Sequence, residues 1–180
     1  YDTDLNKFRC YENGAWVDCI ASGPATRRIT LNPEFAGGLL YADGTNNSGM
    51  ITSNYDATNR HNYYEWSTSQ GTAQDYDIVI KHQLPSYWNA TNEFNASTVM
   101  ARTWVSNTTN AAITMTIIDE GGTTCLSAVT IEPGSNSTWT QTTLDSATIN
   151  SACALTANEN ITIIVKVTSV SPNTDLVRVS

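Results

Sequence analysis

Charge is scarce in this sequence. Asp, Glu, Lys and Arg make up 14% of its 180 residues, against about 25% in an ordinary soluble domain. Basic side chains are the scarcer kind: 9 Lys and Arg face 17 carboxylates, for a formal charge of −8. Arg27-Arg28 is the one adjacent basic pair. With no basic patch to neutralise phosphates, nucleic acid is excluded as a partner by charge. Long apolar runs are missing too. None approaches the ~20 residues that cross a bilayer as a helix, so no membrane span is expected. Heptads of Leu, Glu, Lys and Ala are absent, which excludes a coiled coil. Disorder is excluded by the opposite feature, 40% hydrophobic residues and five Trp.

Ser, Thr and Asn fill the space that charge leaves, at roughly a third of the chain. The length suits one domain with a real core and is too short for two ordinary ones. The first residue is Tyr1 and not Met, so the chain reads as a mature or excised segment.

Period-two alternation of β-branched and aromatic residues recurs along the chain. The clearest run is Tyr76 to Leu84, where Tyr76, Ile78, Ile80 and His82 share one face. Further strands are expected at 98–105, 112–118, 124–131, 138–144, 161–170 and 176–179. Shorter ones are expected at 28–31, 38–41, 49–53 and 62–67. Asp119-Glu120-Gly121-Gly122 reads as the turn of a hairpin. Ile161 to Val165 is apolar throughout and should be a central strand, whereas Lys81, Arg102 and Lys166 should lie on solvent faces or at edges. Many short strands joined by Gly, Pro, Asn and Ser turns predict an all-β fold, an antiparallel β-sandwich of jelly-roll or Ig-like type. Residues 1–23 stand apart as an N-terminal β-hairpin arm and linker, with the sandwich over 24–180 and the boundary near Gly23. The arm is too small to fold alone.

The cysteines are Cys10, Cys19, Cys125 and Cys153. No Cys-x-x-Cys occurs and neither His61 nor His82 is near one, so no metal site is expected. Four cysteines in a Lys-poor chain read as two disulfides in an oxidising compartment. Three pairings are possible, and local logic favours Cys10–Cys19 and Cys125–Cys153. A two-residue turn at Asn13-Gly14 would set Cys10 opposite Val17, an awkward offset for a bridge to Cys19, so a longer loop or a bulge is expected there. Sequons at Asn46, Asn89, Asn95, Asn107, Asn136 and Asn160 are candidate glycosylation sites; a chain this rich in Asn, Ser and Thr produces about four by chance.

Residues Asn6 to Asp18 resemble the K-F-x-x-Y-x-N-G-x-W hairpin that recurs near the ends of phage tail-fibre proteins and large bacterial surface fibres. Cys10 and Cys19 depart from that hairpin and imply a covalently locked version. The part from Ile29 to Ser180 is similar to uncharacterised β-sandwich domains that end long secreted bacterial surface proteins. Leu31-Asn32-Pro33-Glu34-Phe35, Tyr41-Ala42-Asp43-Gly44 and His61-Asn62-Tyr63-Tyr64-Glu65-Trp66 carry that resemblance. Both imply an exposed extracellular role.

Catalytic chemistry finds little material. A triad needs His beside a nucleophile and an acid. His82 lies among Ile78 and Ile80 as a packed residue, and no Gly-x-Ser-x-Gly elbow exists. Paired carboxylates for glycoside hydrolysis would have to be Asp75 with Asp77 or Asp119 with Glu120. The first pair opens a strand and the second sits in a turn. No phosphate loop is present. Asp43 to Asn47 offers oxygen ligands, with an ordinary Asp-Gly turn the stronger reading over a Ca²⁺ loop. No enzyme activity and no cofactor are expected.

Two functions follow as expectations. The first is an extracellular structural module, a filament or fibre subunit that homo-oligomerises when its N-terminal arm pairs with a neighbour's sheet edge. The second is a carbohydrate-binding module or adhesin tip. There Tyr63, Tyr64 and Trp66 are the candidate ligand-binding residues for surface glycans: Tyr64 and Trp66 share one strand face and Tyr63 and Glu65 the other, so one set is core and the other a platform.

Overall fold

A computed structural model describes residues 9–12, 14–18, 31, 38–88, 99–144, 153, 155–170 and 175–180. The chain divides into two compact units, Tyr1–Leu31 and Asn32–Ser180. The division falls beyond the expected boundary at Gly23, which itself lies outside the described residues.

In the first unit, β1 (Arg9–Glu12) and β2 (Ala15–Asp18) form an antiparallel hairpin. Glu12 pairs with Ala15 and Cys10 faces Val17, so the register is that of a two-residue turn. Gly14 has φ +85°, a value that glycine adopts without steric cost. Cys10 is disulfide-bonded, so the bridge needs no lengthening of this turn; Cys19 lies outside the described residues.

The second unit is an all-β antiparallel sandwich, with two five-stranded sheets among the described residues. Sheet A runs β10 (Thr140–Leu144), β7 (Val99–Val105), β12 (Leu176–Val179), β5 (His61–Ser67) and β4 (Met50–Asp56). Sheet B runs β3 (Gly38–Tyr41), β6 (Gln74–Gln83), β11 (Asn160–Ser169), β8 (Ala111–Ile118) and β9 (Thr124–Thr130). Along most of its length the chain alternates between the sheets, as in a jelly roll. The expected strands at 28–31 leave no strand at Leu31, and residues 28–30 lie outside the description. No helix among the described residues is long and apolar enough to cross a membrane.

Alternation explains which face goes inside. On β8, Ala111, Ile113, Met115 and Ile117 are buried, while the intervening residues are half-buried. On β11, the middle strand of sheet B, Ile161, Val165 and Val167 point the same way. Trp66, Val105 and Val177 answer them from sheet A, each 0–1% exposed. The β8–β9 ladder slips between Met115 and Ile117. Ala128 takes φ +37° there, and its N–H donates to Thr116 Oγ1 at 3.1 Å, which is how a bulge keeps its extra polar group satisfied. Cys125 and Cys153 are joined by a disulfide, Cα to Cα 5.1 Å.

Candidate functional site

The aromatic strand β5 splits its residues between two environments. Trp66 is 1% exposed, its Nε1–H donates to the Gln74 carbonyl at 3.3 Å, and its ring lies 5.3 Å from that of Tyr76. Tyr64, on the same face, is half-buried. Tyr63 is on the opposite, outer face and is still only 7% exposed. Of the two sets weighed, the one with Trp66 is core, and on the other face Tyr63 is buried and does not lie open as a flat platform. Trp66 was available to the core because β5 is second from the edge of sheet A, where its inner face meets sheet B. Tyr63 is covered because other side chains close over it.

Those side chains make the site. Antiparallel register puts Glu65, Arg178 and Trp104 in one row across β5, β12 and β7, all on the outer face because Thr103 and Val177, their chain neighbours, are fully buried. The Arg178 guanidinium lies 4.1 Å from the Trp104 ring centre and 5.1 Å from that of Tyr63, and its Nε donates to Glu65 Oε2 at 2.6 Å. A cation between two rings, tethered by a carboxylate, is held in place by both its quadrupole contacts and its ion pair. Trp139, just before β10 at one edge of the sheet, reaches residues of β5 and β4 at the other edge. Its ring is 4.5 Å from His61 and 5.5 Å from Tyr63, both edge-on. Its Nε1–H donates to Asp56 Oδ2 at 2.8 Å. Arg102, exposed and two residues from Trp104, donates from a guanidinium nitrogen to His61 Nδ1 at 3.1 Å.

Asp56 anchors one end of this arrangement. Its carboxylate accepts from the backbone N–H of Thr58 and Asn59, from the Asn59 amide and from Trp139. The Asn59 hydrogen bonds first, then those of Trp139 and Thr58, hold its pKa down at about 2. Trp104 and Trp139 are half-buried and share this face with the exposed Arg102, Gln141, Thr52 and Asn54. The outer face of sheet A is thus a preassembled surface of aromatic planes and hydrogen-bonding groups.

Sheet B carries the loop weighed above for Ca²⁺. Here a lysine stands among the carboxylates. Lys166 Nζ lies 3.3 Å from Asp43, 3.0 Å from Asp75 and 3.2 Å from Asp77. Asp43 Oδ1 and Asn47 Oδ1 are spent on the N–H groups of Thr45 and Gly44, the ordinary use of such a turn. Burial lowers the Lys166 pKa, but its bonds and charge pairs with Asp75 and Asp77 outweigh that and hold it above the usual lysine range. The Asp77 carboxyl is pushed up, by burial first, against the pull of Lys166. Tyr41 (47% exposed) and Leu39 (59%) flank this cluster on β3.

The remaining candidates are placed as follows. His82 is half-buried and burial lowers its pKa. Asn46, Asn136 and Asn160 are exposed, and Asn107 is half-buried. The Asn136 Oδ1 accepts from Thr108 N–H and that of Asn107 from Thr109 N–H. Asn89 and Asn95 lie outside the described residues. Asp119 has Cys125 and Cys153 beside it, but both sulfurs are in the disulfide. The sequence reading missed Trp104, Trp139, Arg102 and Arg178. The available signal was Arg-x-Trp on 102–104 and an arginine flanked by valines at 177–179, each a costly residue on an otherwise apolar strand.

No family model and no curated protein sequence matches the chain. Among solved structures it is similar to one described as the structural basis for the promiscuous specificity of the carbohydrate-binding modules from the β-sandwich superfamily. That match has TM-score 0.50 and 13% identity and covers 82% of this chain and 58% of that one; the chain spans little more than half the length of that relative. It is also similar to TmCBM61 in complex with β-1,4-galactotriose, with TM-score 0.48 and 12% identity over 82% of this chain and 87% of that one. At such identities the first likeness shows an antiparallel β-sandwich fold.

Proposed function

We propose that the sandwich is an extracellular carbohydrate-binding module and that the outer face of sheet A is its binding surface. One observation carries this reading: Trp104 and Trp139, remote in sequence, stand half-buried on one sheet face, each fixed by a polar partner. Sugar rings present flat patches of C–H bonds between hydroxyls. A surface that binds them needs aromatic planes to stack on and fixed donors and acceptors around them. Arg178 and Asp56 immobilise the rings before any ligand arrives, which lowers the ordering cost of binding. The β-sandwich likeness to a carbohydrate-binding module agrees with this reading, and the disulfides fit an oxidising, extracellular setting. Recognition without a catalytic step is proposed, because the carboxylates on this face, Glu65 and Asp56, are engaged by Arg178 and by the Trp139–Asn59 group.

The fibre-subunit reading rests on a different feature. The hairpin unit carries Tyr11 and Trp16, cross-strand partners with rings 5.4 Å apart, 63% and 60% exposed. A small hairpin that displays two large aromatics suits docking on a neighbouring copy, and both functions can coexist on one chain. Deleting residues 1–23 and following assembly by light scattering tests it; unchanged assembly overturns it.

The glycan reading is tested by a glycan array probed with the full chain. Binding to a defined oligosaccharide class is expected, and loss of that signal in Trp104→Ala with unchanged far-ultraviolet circular dichroism. A blank array from folded protein contradicts the proposal.

A further inference from the structure

Among the described residues, Arg102 on the outer face of sheet A has no carboxylate partner, and this bears on the charge of the ligand. Arg178 is paired with Glu65. Asp56 is occupied by its own turn and by Trp139. Arg102 has no carboxylate partner among the described residues. Its contact is His61 Nδ1, at 3.1 Å. A guanidinium only donates, so Nδ1 must accept, and the proton of the neutral imidazole lies on Nε2. That Nε2 is buried without a partner, and the ring is packed edge-on against Trp139 and Tyr63 at 4.5 and 6.5 Å. His61 therefore acts as a fixed acceptor that aims Arg102, and its remaining polar atom is sealed from solvent.

The sequence makes this arrangement notable. The chain holds 9 Lys and Arg against 17 carboxylates, so a guanidinium with no carboxylate partner among the described residues is not a consequence of basic excess. Arg102 lies on the same strand face as Trp104, about 7 Å along β7. A sugar stacked on Trp104 would bring a neighbouring substituent to the guanidinium. Arginine's planar fork matches carboxylate or sulfate oxygens two at a time.

Resting on the carbohydrate-binding reading above, we infer that this face selects anionic glycans, with Arg102, oriented by His61, as the residue that receives a sugar carboxylate or sulfate ester. The overall charge of −8 opposes a polyanion at long range, but screening over about 8 Å at physiological ionic strength confines that effect. Selectivity then depends on the local pair.

The test titrates the full chain by calorimetry, in 150 mM salt, with three probes: oligogalacturonate, a sulfated galactan oligosaccharide and a neutral galactan oligosaccharide of the same length. At least tenfold tighter binding of one anionic probe than of the neutral one is expected. Arg102→Gln should erase that preference, lowering affinity for the preferred anionic probe at least tenfold more than for the neutral one. Arg102→Lys, which keeps the charge without the fork, should fall between. The anionic probe preferred identifies the group as carboxylate or sulfate. Equal affinity for neutral and anionic probes overturns this inference and leaves the carbohydrate-binding reading standing. So does an Arg102→Gln variant that weakens all probes alike. Absence of binding to all three, with a blank array, overturns both.

Discussion

At the residue scale, single side chains carry distinct tasks. Asp56 holds the turn after β4 and one end of the aromatic cluster. Its folded pKa of about 2 lies below the ordinary 3.8, so the folded state binds its proton less readily than the unfolded one. The sign follows: its stabilisation is present above pH 4 and is lost as pH falls toward 2. Asp56→Asn puts an N–H₂ where Trp139 and Asn59 now donate, and should lower the melting temperature at pH 6. The gap between variant and wild type should narrow between pH 4 and pH 2 in a melting series. Lys166 makes the opposite kind of test. Lys166→Met leaves Asp77 buried beside Asp43 and Asp75, at a cost of roughly 1–3 kcal/mol at pH 7. Protonating Asp77 relieves that cost, because its folded pKa is already raised. The variant's deficit in urea titrations should therefore shrink as pH is lowered to 4. A deficit that is constant across this range contradicts the ion-cluster account.

At the scale of elements, β5 and its neighbours decide the site. Gly49 shows how tightly β4 and β5 approach: a Cβ there would stand 2.5 Å from the Ser67 carbonyl and 2.5 Å from Trp66 Cη2. Gly49→Ala should be destabilising, because backbone cannot yield as a flexible side chain can, and a lower denaturation midpoint is the measurement. The Cys125–Cys153 bridge closes a segment of 28 residues, and Cys153→Ser should cost about 2–4 kcal/mol. The strand pattern was legible in sequence where period-two alternation holds, as over Ala111 to Ile118; it is broken in β9, where the ladder slips. What alternation does not give is orientation when both faces of a strand are aromatic. On β5, Tyr64-x-Trp66 and Tyr63-x-Glu65 are equally plausible inner faces, and only packing against sheet B selects the former. The turn after β1 shows a second limit. The two-residue register was readable from Asn13-Gly14, whereas the compatibility of that register with a bridged Cys10 was not.

At the scale of the whole molecule, the proposed binding surface is a product of sheet order. Trp104 and Trp139 are 35 positions apart in sequence, and Arg178 and Glu65 lie 113 apart. Nothing local links them. They share one face because β10, β7, β12, β5 and β4 are adjacent in sheet A. A single sequence reveals strands but not their neighbours, so a carbohydrate-binding module could be weighed as an alternative while the residues proposed here for its surface could not be assembled. The same order separates the two faces of the sandwich: Tyr41 and the Lys166 cluster lie on sheet B, away from the proposed ligand. They supply an internal control of matched chemistry, an exposed ring with charged neighbours.

The most direct measurement is therefore a calorimetric titration of the array's preferred oligosaccharide into wild type, Trp104→Ala, Trp139→Ala and Tyr41→Ala. Base-line stability should be matched by melting curves. The account predicts that each tryptophan variant loses at least tenfold in affinity while Tyr41→Ala binds as wild type. Full affinity in both tryptophan variants, or loss confined to Tyr41→Ala, would contradict the placement of the binding surface on sheet A.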